Sequence, residues 1–127
     1  MDILKTLGLF LLIDVTYLFI LRGDYMRNYF NRFGRFSVNE SKKDKLNSVF
    51  FGLCAWIVLA LGLQYFVIDK AINKKDAFYK GLLYGLFVYG VYDFTNMATI
   101  KNWTIEFLVQ DIIWGMLLCG TIAYLRR

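Results

Sequence analysis

Three aspartates, Asp14, Asp93 and Asp111, stand inside otherwise apolar runs of the chain. A charged side chain at bilayer depth costs about 2.5–3.5 kcal/mol on insertion scales, so each acid needs a proton, a hydrogen-bond donor or a cation. The lysines of those runs, Lys5 and Lys80, stand near the opposite ends from the acids, nine and thirteen residues from Asp14 and Asp93. The chemistry open to the three acids is therefore short to state. They share or carry a proton, hold a cation or small amine, meet Arg22, Arg27 or Lys101 folding in from the interface, or act as interhelical hydrogen-bond glue. Glue bonds average only about 0.6 kcal/mol each, a weak reason to keep three acids in an apolar setting.

The neighbours of the acids are polar or aromatic at helical spacing. Tyr89, Asp93 and Asn96 follow one another at i, i+4 and i+7, on one helix face. Asp111, Trp114 and Gly115 share a face, with Phe107 one turn earlier. Tyr17 follows Asp14 by three residues. Thr95, Thr99, Asn102 and Trp103 come at or above the same level.

These side chains need elements to position them, and the apolar runs supply four. They cover about residues 3–21, 46–68, 77–100 and 105–125. Each is near the 20 residues that carry a helix across about 30 Å of hydrocarbon. In lipid every backbone amide must be bonded within its own segment, so spans of this length are helices. The last two are joined by only Lys101, Asn102, Trp103 and Thr104, which makes them antiparallel neighbours. The expected fold class is an all-α membrane protein, a single domain over 1–127, built as an antiparallel bundle of four transmembrane helices. The first run is retained and is not a signal peptide, because Asp14 interrupts it and Arg22-Gly23-Asp24 stands where a cleavage site would be.

Composition agrees. The chain is 58% hydrophobic and 20% charged, against roughly 45–50% and about 25% in soluble domains. Its charges are clustered, which excludes a soluble enzyme, a disordered chain and a coiled coil. With no histidine and two cysteines, a classical zinc or haem centre is not expected. No metal or cofactor is expected.

Depth places the three acids together. Four spans put both termini on one side, here side A. Asp14 lies seven residues before the side-B end of the first run, Asp93 seven before that of the third, and Asp111 six into the fourth. At 1.5 Å per residue all three are about 10 Å below the side-B surface. A single polar site opening toward side B follows as the expectation, formed by Asp14, Asp93 and Asp111 with Asn96, Tyr17, Trp114 and Tyr89.

Residues 22–45 carry seven basic side chains between the first two runs. At about 100° per residue, Tyr25, Met26, Tyr29, Phe30, Phe33 and Phe36 fall on one arc, and Arg27, Asn28, Asn31, Arg32, Gly34 and Arg35 on another. This predicts an interfacial amphipathic helix over about 23–36, with Arg27, Arg32 and Arg35 at lipid phosphates. The same face folded against the bundle is the other reading. Orientation is not decided by charge, since eight basic residues fall on side B and seven on side A.

Gly81 and Gly85 form a GxxxG element, and Gly115 with Cys119 repeats the small-residue spacing; both predict close helix packing, within the fold or between copies. Tyr65, Tyr79, Tyr84, Trp103 and Tyr124, near span ends, read as interfacial belt aromatics. Trp56 and Trp114 lie deeper, as packing or pocket residues. Cys54 and Cys119 are too far apart in depth for a disulfide.

The string Tyr92-Asp93-Phe94-Thr95-Asn96-Met97-Ala98-Thr99, then Trp103, then Asp111-Ile112-Ile113-Trp114-Gly115, is distinctive. It resembles the domain-of-unknown-function family two-one-seven-seven of small bacterial predicted membrane proteins. That family's pattern is Tyr-Asp-Leu-Thr-Asn-Leu-Ala-Thr, a Trp after the turn, and Asp-x-x-Trp-Gly. Its first helix carries an Asp followed three residues later by Trp, matched by Asp14 and Tyr17, and Tyr25 and Arg27 match an aromatic and an Arg beyond it. Tyr17 in place of Trp, and the lack of a proline near Val67-Ile68-Asp69, are departures that leave the three aspartates in place. The resemblance implies four helices and an integral membrane location, and it implies no activity.

The expected function is a small multi-pass membrane protein whose three carboxylates bind or move a proton, cation or small amine. The alternative is a structural or assembly protein, an oligomeric scaffold whose acids are glue. Paired acids also suggest an intramembrane aspartyl hydrolase, but Leu108-Val109-Gln110-Asp111 lacks the Gly-x-Gly-Asp motif, so no enzyme is expected. The expected partners are the lipid bilayer and either a second copy or another membrane protein, and not nucleic acid. The expected location is a cell membrane, or an internal viral membrane if the AT-rich residue usage reflects a virus.

Overall fold

Three of the four described helices begin at a residue whose side chain caps them. A computed structural model describes residues 2–17 and 41–127, and its helices are α1 (Asp2–Thr16), α2 (Lys42–Leu63), α3 (Lys74–Thr99) and α4 (Ile105–Arg126). Ser41 caps α2 by accepting from the Asp44 amide at 3.1 Å. Asn73 caps α3 by accepting from the Asp76 amide at 2.8 Å, while the Asp76 carboxylate accepts from the Ile72 amide at 2.9 Å. Thr104 caps α4 through the Phe107 amide at 3.1 Å. Each cap satisfies an orphan donor of the first turn. Asp44, Asp76 and Glu106 in those first turns, and Arg126 in the last turn of α4, complement the helix dipoles.

Helix α2 does not stop at Leu63. It widens into a π-helical turn over Gln64–Ile68, closed by the Asp69 amide donating to the Gln64 carbonyl at 3.0 Å. At the far end of α3, Ile100 turns extended, and the Trp103 amide donates to its carbonyl at 3.1 Å. That tight turn sends α4 back along α3.

The helices alternate in direction. Arg126 Nε donates to Thr6 Oγ1 at 3.1 Å, Arg127 Nε to the Ala71 carbonyl at 2.7 Å, and Lys74 Nζ to the Tyr124 carbonyl at 3.0 Å. The start of α1, the α2–α3 connection and the end of α4 therefore lie at one end. Among the described residues there are no strands.

The most extensive contact is α3 against α4, and glycine makes it close. A Cβ on Gly81 would stand 2.6 Å from the Cys119 carbonyl oxygen and 2.7 Å from Gly120 Cα. Gly85 meets Gly115 and Met116 in the same way, and Gly115 lies against the Tyr89 ring. The GxxxG element thus serves packing within the chain.

One stripe of α1, Thr6, Phe10 and Asp14, is turned inward, with exposures of 0, 0 and 5%. Phe10 joins Ala60, Leu63, Leu118, Cys119 and Ile122 in the core. Large apolar side chains cover the outside, including Leu12, Phe51, Val58, Phe87, Phe94 and Ile113. Contiguous apolar exposure of this kind belongs to a membrane or a partner surface.

Two helical stretches, Lys42–Ile68 and Ile105–Arg126, are long and apolar enough to cross a membrane. Helix α1 is described over 15 residues, short of a full crossing. In α3, Tyr84, Tyr89, Asp93, Thr95 and Asn96 dilute the apolar run. The interfacial segment expected over 23–36, with Arg27, Arg32 and Arg35, lies outside the described residues.

Candidate functional site

Asp14 is held from two sides by indoles. Trp56 Nε1 on α2 donates to Oδ2 at 2.8 Å, and Trp114 Nε1 on α4 donates to Oδ1 at 2.8 Å. One carboxylate thereby ties three helices. Its position follows from the α1 stripe, since Asp14 is one turn beyond Phe10 and shares its face. The Trp114 ring is fixed in turn by Tyr17, stacked on it with centroids 3.6 Å apart and planes 10° from parallel.

Asp93 and Asp111 form the second half of the site. They face each other across the α3–α4 interface, where the glycines let the backbones approach. Asp93 is fully buried, and neither of its oxygens has a hydrogen-bond partner among the described residues. Trp103 lies beside it, 4% exposed, with its ring 6.0 Å from Tyr92 and 6.1 Å from Phe107. Asp111 is half-buried and within electrostatic reach of Asp14. Tyr89, packed on Gly115, is within such reach of all three acids. Asn96 lies one turn further along the Asp93 face, half-buried.

The expected members Asp14, Tyr17, Tyr89, Asp93, Asp111 and Trp114 are thus neighbours at one level of the bundle. Two aromatics belong beside them as well. Trp56 donates directly to Asp14 and was expected only to pack or line a pocket. Trp103, expected in the interfacial belt, is buried against Asp93 because the sharp α3–α4 turn folds it under the helix ends. Tyr84 also leaves the belt: its hydroxyl donates to the Leu59 carbonyl at 2.9 Å and its ring crosses to Gly62, joining α3 to α2. Tyr65, Tyr79 and Tyr124 are exposed.

Between α2 and α3 lies an open groove of about 570 Å³, lined by Phe51, Ala55, Trp56, Val88, Tyr89 and Tyr92 among others. Trp56 and Tyr89 belong both to the groove and to the carboxylate cluster.

A second polar layer lies at the other end of the stripe. Thr6 Oγ1 donates to Gln64 Oε1 at 2.6 Å, and Gln64 Nε2 donates to Asp69 Oδ1 at 2.7 Å. The π-turn at Gln64 sets this side chain inward; π-bulges recur at functional positions. Phe10, at 0% exposure, separates the two layers along α1. Cys54 and Cys119 are free thiols. Among the described residues no group of histidine, cysteine and acidic side chains could hold a metal.

No curated protein and no solved structure matches the chain. A family model described as a predicted membrane protein matches residues 1–126, which takes in every element and every residue of the cluster. With two membrane-length apolar helices, an apolar exterior and that match along the sequence, the chain belongs to the DUF2177 family of predicted membrane proteins.

Proposed function

We propose that the chain is a four-span integral membrane protein, without enzymatic activity, whose Asp93–Asp111 pair binds or moves a proton, a cation or a small amine, with Asp14, Tyr89 and Asn96 around it. The observation that carries this reading is the fully buried Asp93 carboxylate, which stands beside a second acid, with the Trp103 indole next to it. Two carboxyl groups at that distance from water do not both remain charged without a counter-charge. A shared proton or a bound cation supplies it.

Ethylammonium binding to the purified protein in phosphatidylcholine nanodiscs, followed by tryptophan fluorescence, tests the reading. Asp93→Asn and Asp111→Asn each abolish binding and leave helix content near that of the parent. Unchanged binding in both variants would reject the site.

A structural reading has one observation in its favour, and it concerns Asp14 alone. Its two indole bonds join α1, α2 and α4, as interhelical glue does. Under that reading the Asn variants of Asp93 and Asp111 behave like the parent, and only Asp→Leu changes destabilise.

A further inference from the structure

We infer that the groove between α2 and α3 takes the alkyl tail of a single-chain ammonium amphiphile, whose head group meets the carboxylate cluster behind Trp56 and Tyr89. The inference rests on the cation reading of the Asp93–Asp111 pair and adds the class of ligand and its route. The groove has a volume of about 570 Å³, within the range of about 300–1,000 Å³ typical of small-molecule sites. It is lined by apolar and aromatic side chains, with no charged residue among them.

What lies behind the lining decides the occupant. Trp56 forms one wall and donates its indole proton to Asp14. Tyr89 forms the other and is within electrostatic reach of Asp14, Asp93 and Asp111. Tyr92 lines the groove one residue before the buried Asp93. An apolar groove whose aromatic walls are backed by acids is complementary to an alkylammonium ion, through cation–π attraction at the walls and the charge of the carboxylates behind them. It repels an anionic amphiphile and offers a neutral one a hydrogen bond but no ion pair. The outer walls are exposed apolar residues such as Phe51 and Val58, so the mouth faces the apolar surroundings of the helices. A long-chain amine already dissolved in the bilayer reaches the mouth laterally.

The test uses the full chain in phosphatidylcholine nanodiscs, with empty nanodiscs as the partition control. Dodecylammonium, ethylammonium and dodecanol are compared by native mass spectrometry and by quenching with a brominated dodecylammonium. Dodecylammonium is expected to bind saturably and dodecanol not at all above the control. Val88→Trp, which fills the groove, weakens dodecylammonium at least about tenfold, equivalent to about 1.4 kcal/mol, and leaves ethylammonium unchanged. Ala55→Trp, on the opposite wall, gives the same result and serves if Val88→Trp does not fold. Asp93→Asn removes both amines. Equal binding of dodecanol and dodecylammonium, or no effect of either groove-filling variant, overturns the groove inference while ethylammonium binding still stands. Loss of neither amine in Asp93→Asn overturns the cation reading itself.

Discussion

At the scale of single residues, Asp14 and Asp93 show two opposite solutions to burying an acid. Asp14 accepts one indole proton on each oxygen, whereas Asp93 is set against a second acid, Asp111. The two therefore respond differently to substitution. Trp56→Phe or Trp114→Phe leaves an Asp14 oxygen bare and is expected to cost about 1–2 kcal/mol, between the membrane average of about 0.6 and the range of about 1.5–3 for bonds to charged groups. Reversible unfolding in mixed micelles measures it, and a loss below a few tenths would mean water replaces the indole. Trp114→Phe keeps the stack on Tyr17, so its loss isolates the hydrogen bond. Three acids at one level were legible from span ends and the 1.5 Å rise, because intramembrane acids are rare and few in number. Trp56 was not. Helix α2 is apolar on every side, so no periodicity tells which face turns inward. Trp103 was misplaced for another reason: nearness to a span end does not show whether a turn folds the ring outward or under the helix.

At the scale of elements, the α3–α4 pair depends on backbone contact. Gly81→Ala sets a Cβ against the Cys119 carbonyl at 2.6 Å and the Gly120 backbone at 2.7 Å, neither of which can swing aside. A loss of about 1–3 kcal/mol is expected, the usual cost of overpacking. Gly8→Ala and Gly52→Ala meet nothing within 4 Å and leave stability unchanged or slightly higher, since alanine is the better helix former. Equal losses at all three positions would show that packing is not the cause. The GxxxG spacing was readable in the sequence, but its partner was not, because the same motif serves contacts within and between chains. The start of α3 carries a pH dependence. Lys80 Nζ, 2.8 Å from the Asp76 carboxylate, and the Ile72 amide hold that carboxyl below its ordinary value of 3.8. The contribution is therefore full above that value and is lost as pH falls through the lower folded one. Amide exchange at the first turn of α3 is expected to accelerate in acid, and Asp76→Asn to flatten that response.

At the scale of the whole molecule, the contacts of Arg126 with Thr6 and of Arg127 with Ala71 put the start of α1 and the end of α4 at one end of the bundle. Reporter fusions at residues 1 and 127 are expected to fall on the same side of the membrane, and a reporter after Lys101 on the opposite side. Opposite-side fusions at the two ends would require an odd number of crossings. Hydropathy marks Lys42–Ile68 and Ile105–Arg126 as membrane-length helices, and the alternating direction of the described helices carries the expectation for the rest. The separation into two polar layers was not readable, because Gln64 enters the interior only through the widened π-turn, and no residue in Gln64–Ile68 announces such a turn.

The double indole clasp on Asp14 also has a consequence for biosynthesis. Its two donors are 42 and 100 residues downstream in the chain. At about 5–20 residues per second of elongation, Trp114 emerges roughly 5–20 s after Asp14. Until then the first helix waits beside the translocon with its acid half satisfied. A nascent chain cut short before α4 keeps that defect, so quality-control proteases meet a marked substrate whenever synthesis stops early.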